Sequence, residues 1–394
     1  MRYLVIRNIR LASLPPDQPH TSVLVCGDRI VGIGNNLQHP LIDTESIDGE
    51  GRYVIPSLID VCKVQPDKFN ADVCKTLNFE NVTAGVTTIM TVASDVEENI
   101  ADMQGAQFKM LNYAFHFPLR QVTEANKKRF RRLMIMEGIA TAIVRFGDER
   151  HADVETMRGN IETAKELGLM VLYDFRSLPD SVERLAKLEC LAEELAKVGD
   201  CKAYILGIET TDELGVVKKI RERCDAKAHI CLNPFLPPDP MLNRMTPEVI
   251  ANTLRHEEWA TLGLAYSASR VLKECWPDTA PEIVSRNKLS IINSISLREP
   301  LSVSELSEFV VERPAKFTGL RVPLASVSEG MSANLIIWNP DTLEDVTIAP
   351  PGVNAVHLRL SGRIDYVIMN GQVVMGDKFI PKRVCGGKQY ARIV

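Results

Sequence analysis

Histidine is scarce in this chain, with seven in 394 residues, although it is the side chain proteins use most often to hold a metal. An ordinary metal enzyme is therefore not what the composition suggests. Long apolar runs are also missing. No stretch approaches the roughly 20 residues that cross a bilayer, so a membrane-spanning protein is not expected. Basic residues form no stripe, and the formal net charge is −5. Nothing in this pattern draws the chain to nucleic acid or to an anionic surface. The nine cysteines are odd in number, run from Cys26 to Cys385 and include no Cys-x-x-Cys pair, which argues for reduced thiols. The opening "MRYLVIRNIRLASLPP" breaks its apolar residues with Arg2, Arg7 and Arg10 and has no continuous apolar core of an export signal. A cytoplasmic location is the expectation.

What is present is a large ordinary composition, 45% hydrophobic and 25% charged, sufficient for a sizeable core. The one basic cluster, "KKRFRR" at Lys127 to Arg132, precedes an apolar-rich segment and reads as a solvated helix face. Residues 1–55 show short alternating strands with turns at Gly27-Asp28, Gly34 to Asn36 and Asp48 to Gly51. From Pro56 to about Leu320, short apolar runs alternate with helical periodicity: "TTIMTV", "LNYAFHF", "ATAIVRF", "LMVLYDF", "AYILGI" and "AHICL". Val154, Met157, Ile161, Ala164 and Leu167 mark one helix, with Asp153 as its expected cap and Gly168 as its stop. Val182, Leu185, Leu188, Leu191, Leu195 and Val198 mark a second, and Leu214, Val217 and Ile220 a third. After Leu320 strands return, ending in a hairpin that turns at Asn370 and Gly371. The expected fold is α/β, a (β/α)8 TIM barrel over 56–320 with a small β-sandwich built from 1–55 and 321–394.

Five phrases carry a resemblance. "GDRIVGIGNNL", "GEGRYVIPSLID", "NVTAGVTTIM", "ERPAKFTGL" with "SEGMSANLIIWNP", and "YVIMNGQVV" follow one another as in the amidohydrolase superfamily, and look most like its cyclic amidohydrolases: dihydroorotase, hydantoinase and dihydropyrimidinase. The resemblance covers nearly the whole chain. It implies two divalent metals at the C-terminal mouth of the barrel, activating a hydroxide against a cyclic amide. It also implies ligands: two histidines after strand one, a carboxylated lysine after strand four, histidines after strands five and six, and an aspartate after strand eight. Those positions fall here on Cys62 and Val64, on or near Ile143, on Asp174, on Gly207, and at or beside Ala265. None is an expected ligand, so no metal and no other cofactor are expected.

Candidates for surviving chemistry are Cys62, Lys63 and Asp174 as catalytic groups, and Arg145, Asp174, Arg176 and Asn233 as a ligand pocket. Asn233 lies in "LNPFLPP", which looks like the substrate-contacting "NPPLR" of dihydroorotases, with Pro237 in place of the arginine. The plain alternative is an ion pair of Asp174 and Arg176 plugging the old metal cavity. Cys62 as nucleophile wants a nearby histidine, and none lies in the segments expected around the mouth. Cys224, His229 and Cys231 have a spacing a metal could use, but lack a fourth ligand. His116 reads as a satisfied core or rim histidine.

Two functions follow. One is a pseudoenzyme, a non-catalytic structural or regulatory subunit. The superfamily's precedents are dihydroorotase-like subunits that support aspartate transcarbamoylase, and collapsin-response mediators that resemble dihydropyrimidinase. This reading implies a homo-oligomer and a protein partner such as a carbamoyltransferase, with no nucleic acid and no membrane. The other is a metal-independent enzyme using Lys63, Asp174 and Arg176 at an open barrel mouth, or a divergent hydrolase of cyclic amides.

Overall fold

In the computed structural model, the described residues are 2–15, 17, 19–37, 44–63, 71–92, 110–147, 153–176, 178, 181–223, 227–232, 245–263, 288–293, 298–320, 325–348 and 356–376. Two eight-stranded sheets organise them. The first holds β1 (Tyr3–Leu11), β2 (Thr21–Cys26), β3 (Arg29–Ile33), β4 (Thr44–Asp48) and β5 (Tyr53–Pro56) from one end of the chain. Strands β14 (Leu335–Ile348), β15 (Val356–Met369) and β16 (Gln372–Met375) complete it from the other end. Alternating residues supply its core: Leu4, Ile6, Val23, Val25, Leu335 and Ile337 are all buried. Asn370 and Gly371 both adopt positive φ, 47° and 76°, at the tight turn that joins β15 to β16.

The second sheet contains β6 (Leu58–Lys63), β7 (Val86–Val92), β8 (Asn112–Pro118), β9 (Thr141–Arg145), β10 (Met170–Asp174), β11 (Lys202–Ile208), β12 (Lys227–Leu232) and β13 (Ala260–Leu262). All neighbours are parallel and follow chain order. Parallel neighbours in sequence order require a crossover between each pair. The described crossovers include α1 (Ala71–Thr83), α2 (Lys127–Glu137), α3 (Arg158–Glu166), α4 (Ser181–Val198), α5 (Thr211–Arg223) and α6 (Pro247–His256). Beyond them lie α7 (Lys288–Asn293), α8 (Val303–Ser307), a π-turn at Glu308–Glu312 and α9 (Arg313–Thr318). α9 packs against both β6 and β13, the first and last strands. The architecture is a TIM barrel with a β-sandwich.

Local chemistry explains several boundaries. Thr210 and Glu213 form a capping box at the start of α5: the Thr210 hydroxyl accepts from the Glu213 amide at 3.2 Å, and the Glu213 carboxylate accepts from the Thr210 amide at 3.0 Å. Asp153 does not act as the expected cap. Its carboxylate takes the ammonium of Lys187 at 2.6 Å, and a short 3-10 turn, Val154–Thr156, precedes α3 instead. α2 buries Phe130 and Leu133 while Lys128, Arg129, Arg131 and Arg132 face solvent. A three-asparagine network joins the two sheets: Asn112 on β8 donates to Asn334 at 3.3 Å, and Asn370 donates to Asn112 at 3.1 Å. Among the described residues no helix is long and apolar enough to cross a membrane.

Candidate functional site

The C-terminal strand ends, where barrel enzymes carry their chemistry, bring four reactive side chains together. Cys62 stands near the end of β6, Arg145 ends β9, Asp174 ends β10, and Arg176 follows two residues later. Strand alternation sends Cys62 inward. Its neighbour Lys63 instead reaches Glu80 on α1, at 3.5 Å. The β9–β10 register sets Arg145 opposite Asp174. Ile143, two residues earlier, is fully buried core.

Arg176 grips Asp174 like a fork. Its Nε donates to Oδ1 at 2.8 Å and its Nη2 to Oδ2 at 3.2 Å, while its backbone amide donates to Oδ1 at 3.1 Å. The same Nη2 donates to the carbonyl of Cys62 at 2.9 Å. Arg145 adds a second cation, 3.6 Å from Oδ2, and the Cys62 thiol donates to Oδ2 at 3.5 Å. Cys62 and Asp174 are 1% exposed, Arg145 and Arg176 6%, so all four side chains are buried. Burial opposes ionisation of Asp174, yet the Arg176 guanidinium, with Arg145 behind it, holds the carboxyl below the usual carboxylate range. Burial, then the Asp174 charge, push the Cys62 thiol far up. It is a thiol donor here and a poor nucleophile.

Gly207 makes room for this arrangement. It sits at φ +90°, and a Cβ there would lie 2.7 Å from Cγ of Arg176 and 3.1 Å from its amide nitrogen. The position that the resemblance assigns to a strand-six histidine is thus backed directly by Arg176. Val64, Asn233, Ala265 and Cys224 lie outside the described residues. Among the described residues, no three His, Cys, Asp or Glu side chains gather closely enough to hold a metal ion.

The chain is 23% identical to the D-hydantoinase of Geobacillus stearothermophilus over 90% of its own length and 89% of that protein. It is 22% identical to the D-hydantoinase of Rhizobium radiobacter, over 86% and 85%. The dihydropyrimidinase structure from Brevibacillus agri NCHU1002 superposes with a TM-score of 0.76 at 18% identity, covering 100% of this chain and 99% of that one. No protein-family model matches. The chain is homologous to the D-hydantoinases. The superposition carries the fold of this hydantoinase homologue and leaves its chemistry to be argued from its own side chains.

One of those side chains revises an expectation. A histidine does contact the strand that carries Cys62: His116, on β8, whose Nε2 lies 2.9 Å from the carbonyl of Val61 and whose Nδ1 lies 2.7 Å from the hydroxyl of Thr141. A carbonyl only accepts, so Nε2 carries the proton and Nδ1 accepts from Thr141. Sequence distance hid the contact, because the two strands lie far apart along the chain. Burial pushes the imidazole down to about 4, so it is a neutral, satisfied core residue.

A buried neutral histidine makes this hydantoinase homologue acid-sensitive. The folded value lies below the unfolded one, about 6.5, so the unfolded chain binds more protons as pH falls between them. The contribution of His116 is therefore complete above about pH 6.5 and drains away toward pH 4, with about 2 kcal/mol lost between pH 7 and 5. His229, pushed down to about 4 by burial and by Arg221 and Lys316, steepens the same slope. Urea unfolding at the two pH values is expected to show this loss, and His116→Gln to show a smaller one. An unchanged slope in the variant would exclude His116 as a source.

Proposed function

We propose that this hydantoinase homologue no longer hydrolyses cyclic amides and acts as a structural or regulatory subunit. The observation that carries the reading is the Arg176 fork on Asp174 with Arg145 at its back, buried at the strand ends. A binuclear centre adds four positive charges. Beside two guanidiniums, with Asp174 and Asp60 as the nearby carboxylates, that charge has too little compensation. The donor set does not fit a divalent pair, and we derive no step through one.

The second reading, a metal-independent enzyme, needs polar groups converging on open solvent at the mouth. The buried cluster weighs against it, and Lys63 is engaged with Glu80. Incubated with zinc or manganese and offered hydantoin, the purified chain is expected to show no turnover above buffer. Saturable turnover would contradict the reading.

As a subunit the chain assembles with copies of itself and with a protein partner such as a carbamoyltransferase. Ile135 and Met136, 78% and 62% exposed near the end of α2, offer an apolar spot for such contact to cover. Light scattering behind size-exclusion chromatography is expected to give a dimer or larger. A monomer at tens of micromolar would remove the self-association part.

A further inference from the structure

The opposite pole of the barrel, where the strands begin, holds a cavity of about 350 Å³. Its walls gather cations from four separate elements: Lys202 opening β11, Lys227 opening β12, Arg221 on α5 and Lys316 on α9. Among the described residues Glu258 is the one acidic residue in the lining. The chain as a whole has 46 basic and 51 acidic residues, so four against one is a local reversal of its charge balance. Isolated surface lysines are ordinarily just solvated, and Lys227 and Lys316 alone would be read so. Two deeper residues argue otherwise.

Arg221 is held by the cavity wall. Its guanidinium lies over the Trp259 ring at 4.8 Å and donates to the carbonyl of Ala228, and burial lowers its pKa. A cation kept partly out of water gains from an anion beside it. His229 stacks on Phe317 with ring centroids 3.7 Å apart, and its Nδ1 is buried without a hydrogen-bond partner. A buried polar atom left unmatched is costly, and a small shift of the ring toward a ligand oxygen at the cavity wall would satisfy it.

We propose that this basal cavity binds a small phosphate-bearing anion. The ligand oxygens meet Lys202, Lys227 and Lys316 as point charges and Arg221 and His229 as directional donors. A phosphate group, with about 1.5 to 2 negative charges at neutral pH, matches the excess of positive charge better than a single carboxylate. The site lies at the far end of the barrel from the Asp174 cluster and does not depend on whether that cluster is catalytically silent.

Isothermal titration of the full-length chain with inorganic pyrophosphate tests it, alongside the variant Lys227→Glu, Lys316→Glu. Both side chains are exposed, and circular dichroism with an unchanged unfolding midpoint verifies that the variant folds. The expected result is saturable one-to-one binding, weakened at least about tenfold in the variant, with the ring signals of His229 shifting on titration. A His229→Phe chain, expected to bind more weakly with its lysines intact, checks the same site by a route that leaves surface charge alone. Absence of saturable heat, or equal affinity in the folded charge variant, overturns the proposal. Succinate binding as tightly as pyrophosphate overturns the assignment to phosphate.

Discussion

Replacing Asp174 with asparagine is expected to cost about 3–5 kcal/mol of unfolding free energy, the range for breaking a buried ion pair from one side. The amide keeps the shape but removes the charge, leaving Arg145 and Arg176 buried together at 6% exposure each. Arg176 keeps one acceptor, the oxygen at 2.8 Å from Nε, but the NH2 that replaces Oδ2 can no longer accept from Nη2, while the bond to the Cys62 carbonyl at 2.9 Å remains. Most of the loss is the penalty of stranded charge and not the net worth of the pair. The variant Arg176→Gln should therefore be costly as well, and the double variant should lose less than the sum of the two, by about 0.5–3 kcal/mol. Urea unfolding of the four chains reads the cycle. Additive losses, or a loss below about 1 kcal/mol in Asp174→Asn, would mean that the cluster is solvated and open.

Gly207→Ala is the second large effect. At φ +90° an L residue is strained, and its Cβ would lie 2.7 Å from Cγ of Arg176. Backbone strain and displacement of a packed side chain each cost on the order of 1–3 kcal/mol, so a total of about 2–6 kcal/mol is expected. The two parts separate in a background of Arg176→Ala, where the clash with Cγ is absent and the strain persists. Gly207→Ala should then cost clearly less than in the native chain. An equal cost in both backgrounds would show that Arg176 does not rest on Gly207.

Much of the barrel was legible in the sequence because short apolar runs separated by helical periodicity have few other solutions. "LMVLYDF" and "AYILGI" mark β10 and β11 to within a residue or so. The Asn-Gly turn near the end was legible for a local reason, since its two positive φ values suit those residues. The pairing of Asp174 with Arg176 was also local, because two positions along an extended end share a face. The same parity separates Cys62 from Lys63, and Lys63 turns to Glu80. What the residues did not disclose depends on register and on three dimensions. Arg145 was named with Asp174, but that the two stand directly opposite follows only from the alignment of β9 with β10, and His116 reaches Val61 across strands. The use of Gly207 rests on a backbone angle that no side-chain pattern encodes. The basal cluster joins Lys202, Arg221, Lys227 and Lys316, which share no motif.

In the proposed reading, side chains occupy the ground on which a hydantoinase-type centre would hold metal. The most direct measurement is metal content by elemental mass spectrometry, on protein expressed with added zinc and manganese and purified without chelator. Well under one metal per chain is expected, unchanged in Asp174→Asn. About one or two equivalents, lost on substitution of Asp174 or Cys62, would contradict that reading and restore this site as a metal centre.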